Sequence, residues 1–319
     1  MYTIGIDLGG TNIAVGICNE DLKIIDKASV PTLSKRPIEQ IVADMAALCK
    51  KLAERNSISM DKIDRIGIAV PGTINSARGI VEYSNNIVMK NTPIVELFKK
   101  HIDKEVLITN DANAAALGEA LAGSGKGKKS LVMVTLGTGV GGGIIIDGRI
   151  FEGGVNTAGG EIGHTVIVSG GRQCTCGRRG CWEAYSSASA LSAITAEKMR
   201  ELELKGIPSL LFDEKEKEGR ISARTAFSAM KRGDAYAREI VDGYISYLAD
   251  GITNLINIFQ PEVIAIGGGV CNEGDALLKP LKALVDRDQY TRDSASKTEL
   301  VVAKLGNDAG SLGAAALCM

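Results

Sequence analysis

The chain carries one short pattern twice. Leu8–Ile17 reads LGGTNIAVGI and Leu136–Ile145 reads LGTGVGGGII. In both, glycines separate two apolar runs, the pattern of strand, tight turn, strand. Glycine supplies the backbone dihedrals such turns need and lets main chain approach a ligand closely. The repetition predicts two related lobes, each offering a similar turn to one shared ligand.

The rest of the sequence fits an α/β chain. Tyr2–Asp7, Asn12–Cys18, Arg65–Val70, Glu105–Thr109, Ser130–Leu136, Gly143–Ile146 and Val263–Ile266 read as strands. Pro37–Arg55 reads as a helix, because Ile38, Ile41, Val42, Met45, Leu48, Cys49 and Leu52 fall at helical spacing and Pro37 suits a first turn. Further helices are expected over Ala112–Leu121, Glu183–Leu202, Ala223–Arg232 and Ala235–Phe259. The charge run Asp213–Arg220 reads as a solvated loop or helix end. A chain of 319 residues has room for about two domains and a large core.

Charge excludes some partners. Lys plus Arg number 37 and Asp plus Glu 38, which leaves no basic footprint for a nucleic-acid backbone. The N-terminus has no basic segment followed by an apolar one, and no apolar run reaches the ~18 residues of a membrane span. A cytoplasmic protein with no nucleic-acid or membrane partner is expected.

Three glycine clusters carry candidate chemistry. Asp7-Leu8-Gly9-Gly10-Thr11 ends the first strand: its N–H groups and the Thr11 hydroxyl suit a phosphate, and Asp7 suits Mg2+, although a plain hairpin has the same glycines. Gly137-Thr138-Gly139 is a second such turn, with neither the spacing of a P-loop nor that of a dinucleotide fingerprint. Gly267-Gly268-Gly269 is a third, and three in one chain favour a nucleotide gripped between lobes. Asn110-Asp111 stands where a strand gives way to a helix; Asp111 there is either a helix cap or a general base. Glu161 and His164 add a carboxylate and an imidazole.

Cys174, Cys176 and Cys181 crowd into one short run, with His164 upstream. In a reducing compartment such a set points to a metal rather than to disulfides. His plus three Cys suits a closed tetrahedral Zn2+ site with no open position, hence a structural one.

Together these motifs resemble the ROK family of sugar kinases, within the actin-like ATPase superfamily, with glucokinase as the closest-looking branch. The resemblance rests on DLGGTNIAVGI at Asp7–Ile17, VPGTIN at Val70–Asn75, NDANAAALGE at Asn110–Glu119, TLGTGVGGGII at Thr135–Ile145 and GGEIGHT at Gly159–Thr165. CTCGRRGCWE at Cys174–Glu183, IGGGV at Ile266–Val270 and NDAGSLGAA at Asn307–Ala315 complete it. It implies a two-lobe, actin-like (ribonuclease H-like) α/β fold with an interlobe cleft and a structural zinc loop. A small lobe would span residues 1–109, completed by a C-terminal helix at 309–319, and a large lobe residues 110–308.

The implied activity is ATP-dependent phosphorylation of a hexose, glucose first, with N-acetylmannosamine or another hexose or amino sugar as the alternative, and a sugar-responsive, non-catalytic member as a further one against which Asp7, Asp111 and both phosphate loops speak. Asp7, Gly9, Gly10 and Thr11, with Gly137, Thr138 and Gly139, would hold the ATP phosphates and Mg2+, and Gly267, Gly268 and Gly269 would lie near the adenosine. Asp111 would be the base. Asn86, Asn110, Asp111, Glu161, His164 and Glu183 would hold the sugar, and His164, Cys174, Cys176 and Cys181 the zinc. The stretch Asn86–Pro93 lacks the tryptophan that family glucokinases often carry there, so the sugar stays open. The family also contains sugar-responsive repressors with an N-terminal helix-turn-helix, for which the strand beginning at Tyr2 leaves no room. A homodimer or homotetramer is implied.

Overall fold

The computed structural model describes residues 1–154 and 159–319. In chain order it forms β1 (Tyr2–Leu8), β2 (Asn12–Cys18), β3 (Ile24–Pro31), α1 (Ile38–Arg55), β4 (Ile63–Val70), β5 (Thr73–Asn75), β6 (Ile80–Ser84), β7 (Met89–Thr92), α2 (Ile94–Lys99), β8 (Glu105–Asn110) and α3 (Asp111–Leu121). Next come β9 (Leu131–Leu136), β10 (Val140–Ile146), β11 (Arg149–Ile150), α4 (Glu183–Ser186), α5 (Ala188–Leu204), α6 (Leu210–Glu218), α7 (Ala223–Lys231) and α8 (Ala235–Phe259). The chain closes with β12 (Val263–Gly267), α9 (Asp275–Asp288), β13 (Glu299–Val302) and α10 (Ala309–Ala316).

The twofold sequence pattern becomes a twofold topology. One five-stranded sheet runs β3-β2-β1-β4-β8 and the other β11-β10-β9-β12-β13. Each order reads third, second, first, fourth, fifth strand of its own sheet, counted along the chain. In the first sheet β2 pairs antiparallel with β1 and β3, while β1-β4 and β4-β8 are parallel. In the second, β11 is antiparallel to β10 and β13 parallel to β12. A small β5-β6-β7 sheet is inserted after β4.

Two compact units result. One contains Met1–Met133, Gly143–Gly160 and Ala303–Met319; the other contains Val134–Gly142 and Glu161–Val302. The first unit includes α3, beyond residue 109, for a packing reason. A Cβ on Gly313 of α10 would come within 1.6 Å of the Ala114 carbonyl oxygen of α3, so the helices touch through bare backbone. The other face of α10 lies equally close on the sheet: a Cβ on Gly5 or Gly67 would meet a carbonyl oxygen of α10 at 1.8 Å. Contacts this tight admit no side chain. Glu119 fixes the approach to α10. Its fully buried carboxylate accepts from the Ser124 N–H and hydroxyl, both 2.7 Å, and from the Leu305 N–H at 2.6 Å. Beneath α1, Ile4, Ile6, Leu8, Ile13, Val15 and Ile17 form the core, each fully or almost fully buried and contributing roughly 1.5–3 kcal/mol.

Several elements differ from expectation. Glu183–Leu202 is two helices, because Ser187 takes an extended conformation and its hydroxyl caps α5 by accepting from the Ala190 N–H. The charge run from Asp213 forms most of α6. Leu211 and Glu214 are buried, Glu214 pairs with Arg232 at 2.7 Å, and Gly219 in the left-handed region ends the helix. The strand expected to begin at Gly143 begins at Val140, so the second glycine turn is tighter.

Candidate active site

In the first unit the parallel strands β1, β4 and β8 end at one sheet edge, where open α/β sheets place ligands. Asp7 is in register with Ala69, which is in register with Thr109. The first glycine turn follows β1. Gly9 donates its N–H to the Asn12 carbonyl at 2.9 Å, which closes the turn around Gly10 and Thr11. Thr32 braces it from β3's end: its hydroxyl donates to the Gly9 carbonyl at 2.6 Å and its N–H to the Thr11 carbonyl at 2.8 Å. Asn86 is exposed and packs against Gly10.

Asn110 is the cap of α3: its Oδ1 accepts from the N–H groups of Ala112 at 2.8 Å and Asn113 at 3.3 Å. Its Nδ2 donates to the Gly72 carbonyl at 3.0 Å, which leaves one amide N–H for a substrate. Asp111 is the first helical residue, and its Oδ1 accepts from the Ala112 N–H at 2.9 Å. Burial, and next the neighbouring Asp111 charge, push the Asp7 carboxyl up to about 6. Gly310 of α10 lies against it, since a Cβ there would sit 2.2 Å from Asp7 Oδ2. A buried carboxylate beside a second one suits a divalent cation, which would relieve both burial and repulsion.

The Asp7 shift has a testable consequence. A folded carboxyl raised from 3.8 to about 6 binds more protons than the unfolded one, so stability falls as pH rises through that window. Above pH 6 the ionised group costs on the order of 3 kcal/mol. Asp7→Asn, neutral at every pH, is therefore expected to stabilise the magnesium-free protein by up to that amount at pH 7.5. Urea unfolding checks it, the gap shrinking as pH falls from 6 toward 3.8.

In the second unit, β9 and β12 both end in glycines. Gly137 donates to the Gly139 carbonyl at 3.0 Å and accepts from the Ala188 N–H at 2.9 Å, which closes the turn. Gly268, at φ +96, lies on the end of β9, where a Cβ would come within 2.3 Å of the Leu136 carbonyl oxygen. The second and third glycine clusters thus meet at one edge. Gly163, between Glu161 and His164, packs under Val140 in the same way, with a Cβ at 2.2 Å from its carbonyl oxygen. Glu161 itself is exposed.

The candidate metal ligands converge. The candidate donor atoms of His164, Cys174, Cys176 and Cys181 all lie within 4.8 Å of one another. Cys174 Sγ is 3.7 Å from His164 Nδ1 and Cys176 Sγ is 3.6 Å from Cys181 Sγ. A tetrahedron with Zn–S near 2.3 Å and Zn–N near 2.05 Å has edges of roughly 3.6–3.8 Å. The donor set therefore fits zinc, and the sulfurs are too far apart for a disulfide. The Arg178 main-chain N–H holds the Cys176 thiol below its ordinary range, while burial and the neighbouring thiols raise that of Cys181. With Nδ1 toward the metal, His164 Nε2 points elsewhere. Trp182, next to Cys181, is fully buried and donates to the Tyr247 carbonyl at 3.0 Å, so it serves packing.

Glu183 joins these parts. Its Oε2 accepts from the Val140 N–H at 3.0 Å and its Oε1 from the Thr175 hydroxyl at 3.2 Å. The motifs pointed to the three glycine turns described above and to the four candidate metal ligands, but not to Thr32, Gly310 or Thr175. Thr32 and Thr175 are single hydroxyls with no motif of their own. Gly310 lies within NDAGSLGAA, whose glycines mark a close approach without saying to what.

The ROK family profile matches residues 3–319. The chain belongs to the ROK family. It is 39% identical to a glucokinase of Halalkalibacterium halodurans over 98% of this chain and 93% of that protein. Among solved structures it resembles the ROK hexokinase of Thermus thermophilus, with a TM-score of 0.82 and 30% identity over 99% of this chain and 97% of that one. It also resembles a ROK family glucokinase of Streptomyces griseus in complex with glucose and AMPPNP, with a TM-score of 0.78 and 30% identity over 99% of both chains. This ROK chain therefore has the α/β fold of the ROK kinases, with two sheets of matching strand order.

Proposed function

We propose that this chain is an ATP-dependent hexokinase that converts glucose to glucose 6-phosphate. The observation that carries the reading is Asp111 in the first turn of α3, next to Asp7 and directly after the cap residue Asn110. Likeness to a glucokinase that binds glucose and AMPPNP supports sugar and donor alike. Phosphoryl transfer leaves the protein mainly positioning and charge stabilisation. Asp111 takes the proton of the attacking hydroxyl. Gly9, Gly10, Thr11, Gly137, Thr138 and Gly139 hold the phosphates, Asp7 a magnesium ion, and Gly267, Gly268 and Gly269 the adenosine. Asn86, Asn110, Glu161, His164 and Glu183 satisfy the remaining hydroxyls, as carboxylate, amide and imidazole both accept and donate as sugars require. Zinc bound by His164, Cys174, Cys176 and Cys181 supplies structural rigidity to the loop that carries Glu183.

No described helix is long and apolar enough to cross a membrane. A cytoplasmic homodimer is part of the reading, and sedimentation tests its second half. The experiment for the activity is ADP release with Mg-ATP across glucose, mannose, fructose, allose, N-acetylglucosamine and N-acetylmannosamine. Glucose is expected to give the highest kcat/KM. Preference for N-acetylmannosamine would replace the substrate and leave the mechanism, and no turnover on any sugar by the zinc-loaded protein would overturn the activity.

A further inference from the structure

The carboxylate of Glu183 is held from two sides. On one side is the second glycine turn: Oε2 accepts from Val140 N–H at 3.0 Å, and a Cβ on Gly139 would come within 2.2 Å of that oxygen. Gly139 is therefore bare because Glu183 occupies its side-chain space. On the other side is the cysteine loop: Thr175, between two metal ligands, donates its hydroxyl to Oε1 at 3.2 Å, and Cys174 Sγ lies 3.9 Å from the same oxygen. A carboxylate has two oxygens and about four lone-pair sites, so it can keep both partners and still meet a sugar hydroxyl.

We propose that Thr175 is a positioning residue: its hydroxyl fixes the Glu183 carboxylate, so that the cysteine loop sets the place of Glu183 and, through it, of the Gly137–Gly139 turn. The inference rests on the sugar-kinase reading, in which Glu183 holds the sugar. It makes the residue between Cys174 and Cys176 part of the specificity apparatus, although its own side chain need not touch substrate. Without the hydroxyl, Oε1 loses that partner and the Glu183 side chain gains rotamer freedom, which binding must then remove. The turn keeps its own internal bonds, from Gly137 to Gly139 and from Ala188 to Gly137, so the loss falls on the sugar first.

The test compares wild type with Thr175→Val, of equal shape without the hydroxyl, and Thr175→Ser, which keeps it. Three quantities are read: zinc per chain by elemental analysis, glucose Kd by calorimetry without nucleotide, and KM for glucose against kcat. The expected result is about one zinc in all three proteins. Thr175→Val should weaken glucose Kd and raise KM by about three- to tenfold, the worth of about one hydrogen bond, with kcat far less affected. Thr175→Ser, which keeps the hydroxyl donor, should restore both to within about twofold of wild type. Wild-type glucose Kd in zinc-loaded Thr175→Val would overturn the inference while leaving the kinase reading intact, since wild-type turnover tests that separately. Loss of zinc from Thr175→Val would also overturn it, because the hydroxyl would then serve the loop and not Glu183.

Discussion

Asp111→Asn is expected to lower kcat on the preferred sugar by about 10²–10⁴ while leaving fold and sugar affinity nearly unchanged. That range equals about 3–5 kcal/mol of transition-state stabilisation. The structural cost is small because the cap of α3 belongs to Asn110, whose two accepted N–H bonds survive the change. What α3 loses is one favourable carboxylate at its N-terminus, worth about 0.3–1 kcal/mol at a surface. The first unit recovers part of this, because the Asp111 charge is one of the two causes that raise the Asp7 carboxyl. Removing it moves Asp7 back toward the ordinary carboxylate range. Unfolding curves and calorimetric glucose binding should therefore match wild type closely, and only turnover should collapse. Near-native kcat would remove Asp111 as the base, and the alternative reading, a carboxylate that serves only its helix end, would stand.

Local signals with a fixed chemical meaning were readable before the fold. Cys-x-Cys-x4-Cys with an upstream His gave the metal set, and its donor atoms do converge. The doubled strand-turn-strand gave two related halves, and the two sheets share one strand order. The strands beginning at Tyr2, Asn12 and Val263 are almost wholly buried, and their apolar runs say so. Elements with one wet face were harder. β3 alternates exposed and half-buried residues, and Ile24–Pro31 holds too few large apolar ones to stand out. The β5-β6-β7 sheet is made of strands of three to five residues that follow a Pro-Gly turn. α6 was hidden by its charges, since only Leu211 and Glu214 face inward and Glu214 is tolerated there by its pairing with Arg232. Contacts distant in sequence left no trace: nothing in a single Thr32 or Thr175 announces that it braces Gly9 or Glu183.

Cys181→Ser is the second substitution with a large expected effect. The serine hydroxyl is a poor zinc ligand at neutral pH, and Cys181 is a fully buried member of the four. Zinc held by such sets contributes about 10–16 kcal/mol to folding in small peptides, so the order of the Cys174–Cys181 loop is expected to depend on it. The variant should purify with far less than one zinc per chain. The chain has a single tryptophan, Trp182, fully buried between Cys181 and Glu183. Its emission reports on the loop directly: loss of the metal should loosen the Trp182–Tyr247 bond and shift emission to the red, as chelation of the wild type should. The first unit does not contain the metal ligands, so far-ultraviolet circular dichroism should keep most of its amplitude. Turnover should fall at least 10–100-fold, because the loop that carries Glu183 loses its anchor. Red-shifted emission with intact turnover would separate the zinc loop from catalysis. A folded, active wild type with no bound metal would remove zinc from the protein, and the convergence of the four side chains would then need another cause.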